Sequence, residues 1–236
     1  MGRRIFIDIE TLPPGEDARR LLEGGPLCRF HEDGFRRAGT APPSLEERFR
    51  RLALCGEHGR VLAVGVIDER DGQIVCRGVL GRERETLRFH LDEARSLRAF
   101  WRFMSGFDPR RDTIVGHNVL DFDLPFLYKR SIIHSVPPSV RLSFARYRSQ
   151  PVYDTMWEWV RWSRERVSLD RLARALGLRS SKADGIDGAH VYDLFRAGSH
   201  EEIADYCIRD VELVRSIYYR MEFSAGPTDE PLASGR

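Results

Sequence analysis

Four acids and one tyrosine stand at spacings that could support metal-dependent chemistry. The first two acids, Asp8 and Glu10, lie two residues apart beside the apolar run Ile5–Ile7. Residues two apart on a strand point to the same face. Two carboxylates on one face repel each other unless a cation lies between them, and oxygen ligands suit Mg²⁺ or Mn²⁺. An exposed acidic pair is the alternative, but the apolar neighbours argue against a free surface.

A second acidic element follows the apolar residues Thr113–Val115 and opens a predicted helix. It contains Asp121 and Asp123, and the helix macrodipole favours negative charge near a helix N-terminus. Both side chains could therefore be capping acids. That interpretation accounts for Asp121 better than for Asp123, because Asp123 is flanked by Phe122 and by further apolar residues. We therefore take Asp123 as the candidate functional acid of this element.

The third element places Tyr206 four residues before Asp210. This spacing puts both side chains on one face of a helix. Taken alone, the pattern is typical of an amphipathic helix with a half-buried tyrosine, since Ile203, Cys207 and Val211 form an apolar stripe beside it. Taken together, the three elements supply four acids that a fold could bring to one sheet edge. Such a group can hold two cations about 3.5–4 Å apart, the arrangement used in phosphodiester hydrolysis.

The elements that must position these residues alternate between strands and helices. The turn pair Asp71-Gly72 predicts an antiparallel hairpin. Strands are predicted at residues 3–9, 60–68, 73–80, 113–115 and 151–155, and helices at 44–54, 91–104, 121–133, 168–177, 188–196 and 200–221. This order predicts an α/β domain in which helices cover a mixed sheet.

Two stretches differ in composition from the rest of this domain. Residues 13–58 are polar and broken by Gly and Pro, and we interpret them as an insertion, with Ser44 and Glu47 forming a capping box inside it. Residues 224–236 are rich in Gly, Pro and Ser and predict a flexible tail. A single domain is therefore expected over residues 1–223.

The charge of the chain permits a nucleic-acid partner without establishing one. The formal net charge is only +2, and lysine occurs only at Lys129 and Lys182, so arginine supplies the remaining basic residues. Arginine binds phosphates with a planar fork, but GC-rich coding also favours it. No apolar stretch reaches the ~20 residues of a membrane helix, and the N-terminus lacks the apolar core of a signal peptide. We therefore expect a cytoplasmic protein with reduced thiols.

Two groups of residues keep alternative interpretations open. The pairs Cys28-x-x-His31 and Cys55-x-x-His58 together could build a zinc site, although neither repeats a known finger. The tryptophans are too close together for one helix face and could stack on single-stranded bases or pack against a partner. They are Trp157, Trp159 and Trp162.

In this order and at these spacings, the three elements resemble the motifs of the DEDD exonuclease superfamily. Asp8-x-Glu10 is similar to its first motif, Asn118-x-x-x-Phe122-Asp123 to its second, and Tyr206-x-x-x-Asp210 to its third. The tyrosine marks the DEDDy form, because the histidine form carries His five residues before the last Asp. The chain most resembles the 3′–5′ proofreading domain of family-B DNA polymerases, here expected to stand alone.

This resemblance implies a ribonuclease H-like fold and a metal-dependent 3′–5′ exonuclease. The expected substrate is the 3′ end of single-stranded or frayed DNA, and the expected product is a nucleoside 5′-monophosphate. Two Mg²⁺ or Mn²⁺ ions would be held by Asp8, Glu10, Asp123 and Asp210, with Tyr206 orienting the attacking water. The resemblance further implies that the substrate contacts Thr11, Leu12, Asn118 and Phe122, although Phe122 could equally be a core residue.

Two other functions remain compatible with these motifs. The same chemistry could act on RNA, as in the related ribonuclease D group, because discrimination against a 2′-hydroxyl depends on local shape. A catalytically idle nucleic-acid-binding module on the same fold would be favoured by a missing acid or tyrosine. All five residues are present.

Overall fold

The sheet is built around the first strand. The computed structural model describes residues 2–16, 18, 20, 22, 43–180 and 188–224. Within this part of the chain, five strands pair in the order β3-β2-β1-β4-β5. Their bounds are Arg4–Leu12 (β1), Arg60–Arg70 (β2), Gln73–Leu80 (β3), Thr113–Gly116 (β4) and Val152–Asp154 (β5). Strand β1 is antiparallel to β2 and parallel to β4, so the sheet is mixed, as predicted.

Strand β1 continues further than the sequence pattern indicates. The predicted end of the strand at residue 9 is wrong, because Thr11 and Leu12 still pair with β2, Leu12 opposite Arg60. The register between β1 and β2 shifts between Glu10 and Thr11. The strand ends only where Pro13 removes a backbone donor.

The hairpin of β2 and β3 forms as predicted. Its two turn residues, Asp71 and Gly72, have φ of 49° and 79°. Two left-handed residues are what a two-residue hairpin turn requires, because their twist matches that of the flanking strands. The hairpin places β3 at one edge of the sheet, while β5 forms the other edge.

Seven α-helices lie within the described residues. Their bounds are Leu45–Arg51 (α1), Glu93–Phe103 (α2), Asp123–Ile133 (α3), Thr155–Trp159 (α4), Leu169–Ala175 (α5), Val191–Ala197 (α6) and His200–Met221 (α7). The capping box of Ser44 and Glu47 is present at the start of α1. Helix α2 begins later than predicted, because Asp92 caps it. Leu91 therefore lies outside the helix and is exposed.

Helices cover both faces of the sheet. Ile5, Ile7 and Ile9 alternate along β1 and pack into the core cluster that contains residues of α2 and α3. Phe6 points to the other face and packs against α7. The acids at positions 8 and 10 share the face of Phe6, so they lie under α7.

Several expectations concern residues outside the described ranges. Most of the proposed insertion, including Cys28 and His31, and residues 225–236 of the proposed tail are among them. The domain bounds of 1–223 therefore stay a prediction. No helix in the described ranges is long and apolar enough to cross a bilayer.

Candidate active site

The centre of the site is the face of β1 that lies under helix α7. Asp8 is paired with Gly65 of β2. A Cβ atom on Gly65 would lie 2.7 Å from Val211 Cγ2 and 2.8 Å from Cys207 Sγ, both on α7. Only glycine therefore lets the helix approach the sheet this closely. This close approach brings the Tyr206 and Asp210 side chains of α7 to the acids of β1.

Asp123 reaches the site from the start of helix α3. Strand β4 pairs with β1 only from Arg4 to Phe6. Beyond that point the backbone N–H of Ile9 donates to Asp123 Oδ1 at 3.1 Å. The Asp123 carboxylate is thus hydrogen-bonded to the backbone of Ile9, the residue between Asp8 and Glu10. The Asp123 side chain is buried.

The acids of the site raise one another's pKa. Burial raises the pKa of Asp8 well above its usual value, and the carboxylates of Asp210, Asp123 and Glu10 raise it further. Burial likewise raises the pKa of Asp123 to about 7, against the lowering effect of backbone N–H donors. The predicted convergence of the four acids is therefore what the structure shows. Their ionised forms crowd negative charge into a buried place, which favours the binding of a cation.

Tyr206 lies beside these carboxylates as a neutral phenol. Its hydroxyl donates a hydrogen bond to the Asp210 carboxylate, one helical turn away. Burial raises the pKa of Tyr206 far above its usual value, and Asp210, Glu10 and Asp8 raise it further. The phenol therefore keeps its proton at neutral pH and can orient a ligand by hydrogen bonding, but it cannot act as a base.

A cavity of about 780 Å³ opens onto these residues. Its volume lies in the range of about 300–1,000 Å³ that is usual for ligand sites. The predicted site residues among its walls are Asp8, Glu10, Thr11, Phe122, Tyr206 and Asp210. The opposite wall comes from α1, from the short turn that follows it and from the residues around the start of α6, including Arg50, Arg51, Leu54, His190, Tyr192 and Asp193.

This opposite wall was not identified from the sequence. Arg50 donates to both carboxylate oxygens of Asp193, at 2.7 and 2.6 Å, and its guanidinium lies 5.1 Å from the centre of the Tyr192 ring. The ion pair between Arg50 and Asp193 therefore links α1 to α6. The capping box revealed helix α1 itself, but no local signal links residues this far apart in the chain.

Two of the predicted substrate contacts lie elsewhere. Leu12 is buried in the core together with Tyr206 and Cys207. Asn118 adopts a left-handed conformation with φ of 60°, and its backbone N–H donates to Asp154. Neither residue is among those that line the described cavity.

Asp154 organises the loop that carries Asn118. Its carboxylate accepts the backbone N–H groups of Asn118 at 2.9 Å and Leu120 at 3.0 Å. It also caps helix α4 by accepting the N–H groups of Met156 and Trp157. Burial raises the pKa of Asp154 to about 6 despite these four donors. The loop before Asp123 is therefore tied to strand β5 by a single carboxylate.

The donor atoms of the site suit a hard divalent cation. Asp8, Glu10 and Cys207 each offer one ligand atom, and these atoms lie within 4.8 Å of one another. The thiol is the weakest candidate, because burial raises the pKa of Cys207 well above its usual value and sulfur is a soft ligand. Carboxylate oxygens are the ligands that Mg²⁺ and Mn²⁺ prefer.

A zinc site involving Cys55 stays untested. The Cys55 thiol is buried and donates to Glu57 at 3.0 Å. Its proposed partners Cys28 and His31 lie outside the described residues.

Known proteins resemble the chain in sequence and in fold. A family model described as "Predicted 3'-5' exonuclease related to the exonuclease domain of PolB" matches residues 52–232. The structure is similar to the family B DNA polymerase from the hyperthermophilic archaeon Pyrobaculum calidifontis, with a TM-score of 0.56 and 19% sequence identity. The match covers 94% of this chain and 25% of the polymerase, so this chain spans about a quarter of the polymerase's length. No curated protein matches. The ribonuclease H-like fold is confirmed.

Proposed function

The chain belongs to the family of predicted 3′–5′ exonucleases related to the exonuclease domain of PolB, and from this premise we propose that it hydrolyses single-stranded or frayed DNA from the 3′ end. The proposed products are nucleoside 5′-monophosphates and a strand shortened by one residue. The observation that carries the proposal is the convergence of half-buried Asp8 with Asp123 and two further buried acids beside Tyr206. An adjoining cavity gives a substrate access to them.

The four acids would hold two divalent cations, Mg²⁺ or Mn²⁺. Asp8 lies closest to the centre of the group, since the other three carboxylates all raise its pKa. Bound cations would lower the pKa of the attacking water and stabilise the leaving 3′-oxygen. Three of the four acids, Glu10, Asp123 and Asp210, are buried, so this electrostatic stabilisation would act at a lower local dielectric than that of bulk water.

Tyr206 would orient the water for attack on the terminal phosphorus. The hydrogen bond to Asp210 fixes the position of the phenol oxygen, and the raised pKa keeps its proton in place. The water oxygen forms a bond to phosphorus while the bond from phosphorus to the 3′-oxygen breaks. The 3′-oxygen takes up a proton and becomes the new 3′-hydroxyl.

Thr11, Phe122 and Arg51 would contact the terminal nucleotide. All three line the cavity that contains Asp8 and Glu10. The Phe122 ring lies 5.5 Å from that of Phe126, which holds it at the cavity wall where a base could stack on it. Leu12 and Asn118 would act indirectly, by supporting β1 and the loop before Asp123.

The proposal is tested with two oligonucleotides of matched sequence, one DNA and one RNA, each labelled at its 5′ end. Wild type, Asp8→Ala and the control Asp205→Asn are compared in Mg²⁺, Mn²⁺ and EDTA. Asp205 is an exposed acid next to Tyr206 on the same helix. We expect metal-dependent shortening of DNA from the 3′ end by wild type and the control, and none by Asp8→Ala.

Each other outcome contradicts part of the proposal. Faster shortening of the RNA would assign the chain to 3′–5′ exoribonucleases of the ribonuclease D type. Strands that stay intact in every metal condition, yet are retarded in a gel, would assign it to nucleic-acid binding without catalysis.

A further inference from the structure

The segment between helices α3 and α5 carries arginine and aromatic side chains that the proposed chemistry does not use. Residues 139–167 contain six arginines but only three acids. Of those acids, Asp154 is buried and committed to backbone N–H groups. We use the name Arg–Trp surface for Arg146, Tyr147, Trp157, Trp162 and Arg166.

The side chains of the Arg–Trp surface form one continuous stack. Trp157 is buried at its base, and its ring lies parallel to that of Trp162, with centres 5.4 Å apart and an angle of 8°. The guanidinium groups of Arg166 and Arg146 lie 4.0 and 5.0 Å from the centre of the Trp157 ring. Tyr147 extends the stack beyond Trp162 at 5.1 Å and is 77% exposed. The stack therefore presents one phenol ring and two guanidinium groups to solvent.

The Arg–Trp surface is joined to the rim of the active site. Arg146 and Arg166 both form ion pairs with Asp121, the latter at 3.5 Å. The next residue, Phe122, lines the cavity that contains Asp8 and Glu10. Two positive charges face one negative charge, so the cluster keeps an excess positive charge beside the cavity.

The backbone beneath the stack is strained. Tyr147, Arg161 and Trp162 are not glycines, yet their φ angles are 63°, 49° and 60°. Such left-handed conformations are costly for these residue types and persist only where the surroundings enforce them. The surrounding contacts therefore hold these residues of the stack in a defined conformation.

We propose that the Arg–Trp surface binds the unpaired DNA strand upstream of its 3′-terminal nucleotide. This inference rests on the proposed function, which places the terminal nucleotide in the neighbouring cavity. Aromatic rings stack on bases of any sequence, and arginine binds the phosphates between them. An exonuclease that shortens any sequence needs this kind of sequence-independent grip.

Binding is measured by fluorescence anisotropy of a 5′-labelled long oligothymidylate in EDTA, with Asp8→Ala as the background so that the strand stays intact. The double variant Arg146→Ala/Arg166→Ala and the single variant Tyr147→Ser are expected to raise Kd about tenfold. In the double variant, the slope of log Kd against the logarithm of the salt concentration should also fall by about 1–2. A matched control is Arg111→Ala, an exposed arginine bonded to Asp108 at the opposite end of the sheet, which should change neither quantity.

The variant Asp121→Asn tests whether Arg146 and Arg166 bind DNA or only support the fold. It releases both arginines from their shared ion pair, so we expect tighter binding of the oligothymidylate. Weaker binding would mean that the ion pairs serve only to hold the loop, and the proposal would be overturned.

A kinetic comparison separates this proposal from the proposed function. The p-nitrophenyl ester of thymidine 5′-monophosphate has no upstream strand. In the double variant, kcat/KM for the oligothymidylate should fall about tenfold more than kcat/KM for this ester. Equal losses on both substrates would overturn the proposal while leaving the exonuclease intact. If wild type hydrolyses neither substrate but the variants still weaken binding, the proposed function fails and the Arg–Trp surface stands.

Discussion

Two groups of carboxylates on neighbouring strands of the sheet have opposite electrostatic surroundings. Glu69 is fully buried and is bonded by Arg215 at 3.0 Å, by Arg4 at 3.3 Å and by the Tyr219 hydroxyl. Asp8, on the neighbouring strand, is instead surrounded by other carboxylates that raise its pKa. The charge of Glu69 is neutralised by side chains of the protein itself. The charges around Asp8 would instead be neutralised by bound cations.

Two other buried acids away from the site follow the pattern of Glu69. Asp68 accepts from Arg3 at 2.9 Å, and Glu93 accepts two hydrogen bonds from Arg130 at 2.9 and 2.7 Å. Burying a charge is costly unless it is paired, so arginine partners are the expected solution in a stable fold. The crowding of acids around Asp8 therefore distinguishes this group from the acids that arginine neutralises.

The strongest test of this difference is Asp8→Asn. The substitution removes one negative charge from a group of like charges, so the free energy of unfolding in EDTA should stay the same or rise. Hydrolysis should fall by about 10³-fold or more, because a proposed cation ligand is lost. Product release and urea denaturation measure the two effects. Activity within tenfold of wild type would show that Asp8 binds no essential cation.

The opposite result is expected for Glu69→Gln. This change leaves Arg4 and Arg215 without their shared carboxylate, so the free energy of unfolding should fall by about 3–5 kcal/mol. The activity of the protein that remains folded should be unchanged. Urea denaturation measures the loss, with Glu85→Gln, an exposed acid, as the control. A loss no larger than that of the control would remove the contrast between the two groups.

A smaller effect is expected for Tyr206→Phe. Removing the hydroxyl should lower kcat about 10²-fold, because the attacking water loses its orienting hydrogen bond. The metal-induced increase in Tm should remain that of wild type, since all four acids are retained. Steady-state kinetics and thermal melting with and without Mn²⁺ test both parts. Loss of the metal-induced shift would assign Tyr206 to the binding of cations.

Asp154 provides the smallest and most specific test, because backbone N–H groups rather than arginines surround it. Its pKa is raised to about 6, above the value of about 3.9 expected in the unfolded chain. The protonated form is therefore favoured by folding. Its contribution to stability is complete below pH of about 4 and is lost as the pH rises through about 6, amounting to about 3 kcal/mol.

The contribution of Asp154 is measured as a difference between variants. Urea denaturation of wild type and Asp154→Asn across this pH range isolates it from other titrating groups. The difference in unfolding free energy between the two should change with pH in the stated direction. A difference that is constant with pH would show that Asp154 is not protonated in the folded protein.

The sequence predicted those parts of the site whose signal is local. Asp8 and Glu10 lie two residues apart on an apolar strand, and Tyr206 and Asp210 lie one turn apart on a helix, so short patterns were enough to place them. The end of β1 was predicted wrongly, because its pairing depends on Arg60, far along the chain. The proximity of Cys207 to Asp8 was missed for a similar reason, since it depends on the absence of a side chain at Gly65.

The Arg50–Asp193 contact shows the same limit more strongly. Both residues read as ordinary surface charges within their own helices. Their pairing joins a segment interpreted as an insertion to a helix near the end of the chain. Local periodicity carries no information about such a contact, so the wall of the cavity opposite the acids could not be predicted.

The central position of β1 has a consequence for amide hydrogen exchange. This strand has hydrogen-bonded neighbours on both sides and helices over both faces, so its amides should exchange only when the whole domain unfolds. The facing wall is held by the exposed pair Arg50–Asp193, which contributes only about 0–1 kcal/mol, and by a small apolar cluster in which Phe49 packs against Tyr192. Amides of α1 and α6 should therefore exchange orders of magnitude faster than those of β1. The protein would keep its acids in the longest-lived part of the fold while the opposite wall of the cavity opens many times between global unfolding events.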